Sequence, residues 1–413
     1  MRRQTMQKLL FSIIPILFIP AVSWGEPGIK PGDRITFLGG TFVERMQIHG
    51  HFEAELRTRL GGDIKIRNLG WAGDNVRGES RAVFGTVEDG MDRLLSDMEL
   101  TRPSVIVICY GGNEAHGGVN GLVTFRDNLT DLVRKLDKFN ARYIFVAPRP
   151  YENLGPPLPS PSAFNSMLAR YASVIQDIAK QNGSLYVDLA HVEPVVTDQV
   201  LSSSSENGPW ILEDHAGLTS NGVHLTSFGY WRLAGAFADA IGVNREMIRL
   251  TTDGNTTGVT GLTFNTKGPT VSIQGTLNQL PLGFGRLIGN SSAIRFSLQV
   301  KDLTNPTYVV KSDGNVLGTY SSRQLADGVM LQLPTDIERS NALRESIVNK
   351  NMLFFHRHRP QNETYLLLFR KHEQGNNAVE ISQFDPLVDN HDRQIYQLTK
   401  PSAFTITISP QKP

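Results

Sequence analysis

The sequence predicts an α/β protein: a flavodoxin-like five-stranded parallel sheet with a C-terminal β-rich accessory region. Three observations predict it. Between residues 34 and 242, short apolar runs alternate with amphipathic stretches of helical length, the pattern of a parallel sheet covered on both faces by helices. The runs fall at 35–38, 64–69, 105–109, 143–147 and 185–189, and five such strands fit a doubly wound order with a crevice at the carboxyl ends of the strands. Past residue 250 the texture changes to β-type runs separated by turn-forming residues.

The first helical stretch spans 42–60, where Phe52, Leu56 and Leu60 recur at the spacing of a buried stripe. Further helices are expected over 80–98, 125–139, 164–181 and 228–241. Pro156, Pro157, Pro159 and Pro161 follow the fourth run and are placed at the rim of the crevice. Residues 251–260 are rich in Thr and Gly and read as a linker or loop. The β-type runs lie at 271–274, 294–300, 308–311 and 329–333, and Ser312-Asp313-Gly314-Asn315 fits a hairpin turn. A helix over 336–355 carries Leu343, Ile347 and Leu353-Phe354 on its apolar side, and the remainder reads as an irregular tail. The expected division is a signal peptide at 1–25, a first domain at 30–245 and the accessory region at 255–413, since 413 residues exceed one ordinary core.

Composition narrows the function. A net charge of +1 gives no global footprint for nucleic acid. Arg2, Arg3 and Lys8 precede an apolar stretch over 9–22, which is shorter than the roughly 20 residues of a spanning helix. It therefore reads as a cleaved secretory signal, with an uncleaved anchor as the alternative. The expectation is a secreted or periplasmic protein with no membrane insertion after cleavage. Cys109 is the single cysteine, so neither an internal disulfide nor a cysteine-based zinc site is possible, and its apolar run marks it as a buried, inert thiol.

Four short segments stand at the ends of the predicted strands. Gly39-Gly40-Thr41 puts a hydroxyl at a helix N-terminus, where backbone N–H groups favour developing negative charge. Thr41 is equally suited to cap that helix, with Glu44 completing a capping box. Gly73, in Trp71-Ala72-Gly73-Asp74-Asn75, allows the backbone to aim an N–H at a ligand. Asn113 follows Gly111-Gly112 and offers a carboxamide donor, while Glu114 and His116 beside it read as surface. Asn221-Gly222-Val223-His224 precedes the last amphipathic helix and presents His224 as a candidate base.

Those four segments, in that order, resemble the SGNH/GDSL hydrolase (esterase/lipase) superfamily over residues 34–242. The resemblance implies a nucleophile at Thr41, oxyanion donors from Thr41, Gly73 and Asn113, and a base at His224. It implies an imidazole-orienting residue at Asn221, three positions before the histidine. Two positions depart from the family pattern: Thr41 stands where the family has Ser, and Asn221 where it has Asp. Glu213 or Asp214, in the preceding loop, offers a replacement charge. The implied activity is ester hydrolysis, with a small acyl group on a carbohydrate as the expected substrate and no cofactor or metal required. The partner is then an acylated small molecule or carbohydrate polymer. The alternative is a catalytically impaired member that binds carbohydrate or a cell surface.

Residues 354–377 crowd basic, aromatic and amide side chains together. They fit either the lining of a sugar or anion site, through Arg donors, or a polar helix end and hairpin packed on the other domain. His356 and His358, two apart, share a face only on a strand, so they support metal binding weakly.

Overall fold

The computed structural model describes residues 28–192, 217–280, 282, 296–331, 334–401 and 403–411. The signal-like segment 1–25 and the acidic pair Glu213 and Asp214 lie outside the described residues. Strand β1 (Arg34–Gly39) sends Ile35 and Phe37 into one hydrophobic core and Leu38 into another, so each face of the sheet is buried. Helices α1 (Thr41–Met46) and α2 (His51–Arg59) follow, where a single helix over 42–60 was expected. Gly50 divides them: its φ of 70° is left-handed, and the α-helical ladder cannot continue through it. The stripe of Phe52, Leu56 and Leu60 still faces the first core.

Strand β2 (Lys65–Gly70) precedes α3 (Val87–Thr101). That helix starts later than the sequence pattern suggested, because Thr86 and Asp89 form a capping box that opens it afresh. Next come β3 (Val105–Cys109), α4 (Gly121–Leu136), β4 (Arg142–Val146), α5 (Ser162–Gln181), β5 (Leu185–Val187) and α6 (Ser227–Ala240). The five strands pair in the order β2-β1-β3-β4-β5, all parallel, which is the flavodoxin-like arrangement expected. Val105, Val107, Ile144 and Val146 join the first core, and Ile106, Ile108 and Phe145 the second.

The second half contains β6 (Arg249–Thr251), β7 (Val259–Lys267), β8 (Thr270–Leu277), β9 (Phe296–Gln299), β10 (Thr307–Ser312) and β11 (Asn315–Ser321). These are followed by α7 (Ser322–Asp327), β12 (Val329–Leu331), α8 (Pro334–His358), single turns α9 (Glu363–Leu366) and α10 (Lys371–Gln374), α11 (Phe384–Leu398) and β13 (Ala403–Pro410). One sheet is antiparallel in the order β11-β10-β13-β8-β7, and a smaller one runs β12-β9-β6. The Asp313-Gly314 turn joins β10 to β11 as a hairpin. Two expectations are corrected here. The stretch 251–260 is not wholly linker, since its two ends belong to β6 and β7. The tail is not irregular: Phe404, Ile406 and Ile408 alternate into a third core with Ile395 of α11 and Leu343 and Ile347 of α8.

Helix α8 lies along the exposed edge of β2. The Lys350 ammonium donates to the Ile66 carbonyl at 3.0 Å and to both Glu53 oxygens at 2.6 Å, so the unpaired strand edge is covered. Arg57 bonds Glu53 and Asp392, each at 2.7 Å, and Arg67 reaches Asp392 at 2.7 Å. This buried network ties α2, β2, α8 and α11 together. Among the described residues, no helix is long and apolar enough to cross a membrane.

Candidate active site

Thr41 is the first residue of α1, where the backbone N–H has no acceptor within the helix. Its hydroxyl does not cap the helix: Gly40 occupies the cap position and makes no side-chain bond there. Glu44 does not complete a capping box either, because its carboxylate is taken. It accepts the Ala72 N–H at 2.7 Å and pairs with Arg359 Nη1 at 2.8 Å. Arg359 also stacks over Trp71, 4.0 Å from the ring centroid. Arg359, the residue that follows α8, therefore braces the loop that follows β2.

That loop carries Gly73, whose φ of 75° turns its N–H toward Thr41. The N–H donates to Thr41 Oγ1 at 3.2 Å. Asp74 fixes the loop from below: its buried carboxylate accepts from Arg81 Nε at 2.7 Å and from the Tyr110 hydroxyl at 2.8 Å. Asn113, at the end of β3, donates from Nδ2 to the Asp74 carbonyl at 2.7 Å. That bond orients the carboxamide and leaves one N–H over. Glu114 is not the plain surface residue expected. Its two oxygens accept the Val76 N–H at 2.9 Å and the Gly111 N–H at 2.8 Å, joining the two loops. His116 is exposed and stacks on Phe164.

His224 comes from the turn before α6. The turn is held to the loop after β4 by Glu152, whose N–H donates to the Gly222 carbonyl at 2.8 Å and whose carboxylate accepts from the Thr219 hydroxyl. Asn221 Oδ1 accepts two backbone N–H groups, from Val223 at 3.1 Å and His224 at 2.8 Å. Those two donors fix the amide orientation, so its NH2 faces His224 Nδ1 at 3.2 Å. An NH2 can only donate. The contact therefore selects the tautomer in which Nδ1 accepts and Nε2 carries the proton. Burial, then the Arg45 guanidinium, holds His224 below the ordinary histidine range. Among the described residues, no hydrogen bond joins His224 to Thr41.

Thr41, Asn113 and His224 line one cavity of about 300 Å³, with Phe42, Tyr110, Tyr151 and Tyr230 among its walls. Of the loop after β4, Pro148, Arg149 and Tyr151 line it, whereas Pro156, Pro157, Pro159 and Pro161 do not. Cys109 also reaches the cavity, and burial pushes its thiol well above the ordinary range, which keeps it inert. Two lining cations escaped the sequence reading, Arg45 and Arg149. The signal for Arg45 was its position four residues after Thr41, on the same face of α1.

Residues 354–377 do not line this cavity. Phe354 enters the second core, Arg357 pairs with Asp385, and Arg93 bonds the His358 carbonyl and Glu363. These contacts fit the packing alternative, with helical turns where a hairpin was expected, while Arg357, His358, Pro360 and Phe369 also line a separate cavity against Arg93 of α3. His356 and His358 sit in the last turn of α8, two apart and so on opposite sides.

A parallel sheet in this order, with a hydroxyl, an oriented carboxamide and a histidine at its carboxyl end, is the SGNH arrangement. Residues 32–232 match the model of the GDSL-like Lipase/Acylhydrolase family, and this part of the chain is a GDSL-type acylhydrolase domain. Among solved structures, a gut microbial diltiazem-metabolizing enzyme superposes with a TM-score of 0.68 at 15% identity, covering 93% of this chain and 98% of that one. The shared fold thus includes the second half. An α/β hydrolase from the metagenome of Lake Arreo, Spain, matches at 16% identity and TM-score 0.39, covering 53% of this chain and 100% of its own. An acetylxylan esterase from Geobacillus stearothermophilus matches at 18% identity and TM-score 0.37, covering 52% and 96%. A search of curated proteins found no match.

Proposed function

We propose that the protein is an exported ester hydrolase that removes a small acyl group from a carbohydrate. The observation that carries this reading is the convergence on one hydroxyl: the Gly73 N–H lies 3.2 Å from Thr41 Oγ1, beside the oriented Asn113 carboxamide and His224. Thr41 Oγ attacks the ester carbonyl carbon and its proton passes to His224 Nε2. The Thr41 and Gly73 N–H groups and the Asn113 NH2 hold the oxyanion. The alkoxide leaves with the proton from His224, and water activated by the same imidazole then releases the acid and regenerates Thr41. This cycle needs Nε2 unprotonated, so the proton must first move to Nδ1, against the Asn221 NH2. Turnover is therefore slow in this reading. A cavity of about 300 Å³ suits a small acyl group, and its aromatic walls suit a sugar ring. Export rests on the basic and apolar N-terminal pattern.

The Asn221–His224 contact favours a second reading, a carbohydrate- or surface-binding protein that keeps the crevice and has lost turnover. Hydrolysis of a chromogenic acetyl ester by the mature protein, beside its His224→Ala variant, separates the two. A rate abolished in the variant supports the hydrolase. Equal background rates in both, with an acetylated polysaccharide also untouched, overturn it.

A further inference from the structure

Among the described residues, the cavity beside Thr41 holds more positive charge than its lining carboxylates neutralise. Arg45 lies one helical turn beyond Thr41, and its Nε is buried without a hydrogen-bond partner. Among the described residues, Arg45 makes no ion pair either. Arg149 is mostly buried, with 14% of its side chain exposed, and among the described residues its ion-pair partner is Glu152 at 3.8 Å, too long for a hydrogen bond. Glu152 is itself engaged by the Thr219 hydroxyl. The two carboxylates that line the cavity are committed elsewhere: Asp74 to Arg81 and Tyr110, and Glu114 to two backbone N–H groups.

Arg45 is half-buried with its Nε shut off from solvent, and Arg149 is mostly buried with one carboxylate at 3.8 Å. Withdrawing cations from water with so little compensation is costly, and a bound anion would offset that cost. Arginine offers several donors in a fixed plane, which suits a carboxylate or another oxyanion. Burial depresses Arg149 from its ordinary range and Glu152 offsets this only in part, in accord with a cation short of a partner. Resting on the ester-hydrolase reading, we propose that the substrate is an anionic ester. It carries a carboxylate near the scissile bond, as an O-acylated uronic acid does, and Arg45 and Arg149 seat that carboxylate.

The test has a turnover arm and a binding arm. In the first, 4-acetoxybenzoate is compared with 4-acetoxybenzamide, which has nearly the same shape but no charge. The expected kcat/KM ratio favours the carboxylate by at least about tenfold, the scale of a charged hydrogen bond, and falls toward one in Arg45→Met and Arg149→Met. Arg45→Lys keeps the charge and retains part of the preference, which separates charge loss from misfolding. Equal rates on both esters overturn the anion proposal and leave the hydrolase reading standing. In the second arm, the unreactive amides 4-acetamidobenzoate and 4-acetamidobenzamide are titrated by tryptophan fluorescence. Tighter binding of the carboxylate, lost in Arg45→Met, supports the anion site even where no ester turns over. Equal affinity for the two amides overturns it. Inorganic phosphate and sulfate as competitors distinguish a carboxylate site from one for any oxyanion: competition below millimolar concentration by either overturns the assignment to a carboxylate.

Discussion

The carboxamide NH2 of Asn221 stands 3.2 Å from Nδ1 of His224, with the amide oxygen held by two backbone N–H groups. An aspartate in the same place would keep one oxygen on those N–H groups and turn the other to accept from Nδ1–H. The proton would then leave Nε2, which becomes the acceptor that a hydroxyl nucleophile needs. In a Ser-His-Asp protease the opposite exchange costs roughly 10⁴ in turnover through the wrong tautomer.

Asn221→Asp is therefore expected to raise kcat/KM on a neutral acetyl ester by about 10² to 10⁴. It also moves the acid limb of the pH profile. In the native protein, burial and Arg45 depress His224, so the limb lies below the ordinary histidine range. A carboxylate beside the ring favours the imidazolium and shifts the limb upward. An unchanged rate together with an unchanged limb would show that the tautomer is not what restrains the site.

Thr41 and His224 act as a unit in this mechanism, so their effects are not additive. Thr41→Ala and His224→Ala should each reduce hydrolysis to the same floor, and the double variant should fall no further. Thr41→Ser should be faster than the native protein, because the γ-methyl that stiffens χ1 and crowds attack is gone. Additive losses in the double variant would mean that the two side chains serve separate steps.

Arg359 links the last turn of α8 to the oxyanion loop through Trp71 and Glu44. It does not touch the cavity. Arg359→Met removes the cation over the indole and frees the Glu44 carboxylate that holds the Ala72 N–H. The expected result is a fall of about tenfold in kcat with KM little changed, since one oxyanion donor loses its position. Stability should fall by only about 1 kcal/mol, the scale of a partly exposed cation–π contact. A change in Tm with kcat intact would assign Arg359 to structure alone.

Stability should fall as the pH drops from 6.5 to 4. Burial lowers His49 and His358 from 6.5 to about 3, so the unfolded chain takes up protons that the folded chain refuses, and stability present above pH 6.5 is lost on acidification. Asp97 opposes this. Burial raises it from 3.8 to about 6, so its contribution is present at low pH and lost as the pH rises through 6. Burial also lowers His51, which adds to the loss, and raises Glu114, which opposes it. His49, His358 and Asp97 by themselves leave a net loss of about 3 kcal/mol between pH 6.5 and 4. Urea midpoints across that range measure it, and His49→Phe should flatten the slope.

The parallel sheet was legible because both of its faces are buried, and each strand is then a plain apolar run. The break at Gly50 was not, since one glycine inside an apolar helical pattern does not by itself announce a left-handed turn. Helix α11 escaped because its inner face places Asp392 between Val388 and Ile395, and a charge at a core position reads as surface until its partners Arg57 and Arg67 are seen. Strand β7 escaped because it lies at the sheet edge with most side chains exposed. In the site, the Asn221 departure was visible in the sequence. Its consequence required the geometry, since only the two backbone donors on Oδ1 show which way the amide faces. Beyond its spacing from Thr41, nothing in the local sequence set Arg45 apart; its place on the cavity wall needed the fold.

Asp392 carries the last expectation. Its carboxylate is almost wholly buried and serves both Arg57 and Arg67, while Glu53 serves Arg57 and Lys350. These cations and Lys350 hold Asp392 well below the ordinary carboxylate range. Asp392→Asn keeps the shape but leaves three buried cations around the single charge of Glu53. Removing one partner of a buried ionic cluster costs about 3–5 kcal/mol, far more than the loss of an exposed pair. The loss should appear as a lower urea midpoint. Arg67 lies on β2 and Arg57 on α2, whereas Asp392 and Lys350 come from the second half. The same network therefore makes the sheet dependent on the helices that cover its edge. A fragment ending at residue 245 would leave Glu53 and Arg57 with half their partners, and should unfold at a lower urea concentration than even the Asp392→Asn chain. A fragment as stable as the whole protein would show that the network fixes how the halves meet without stabilising either.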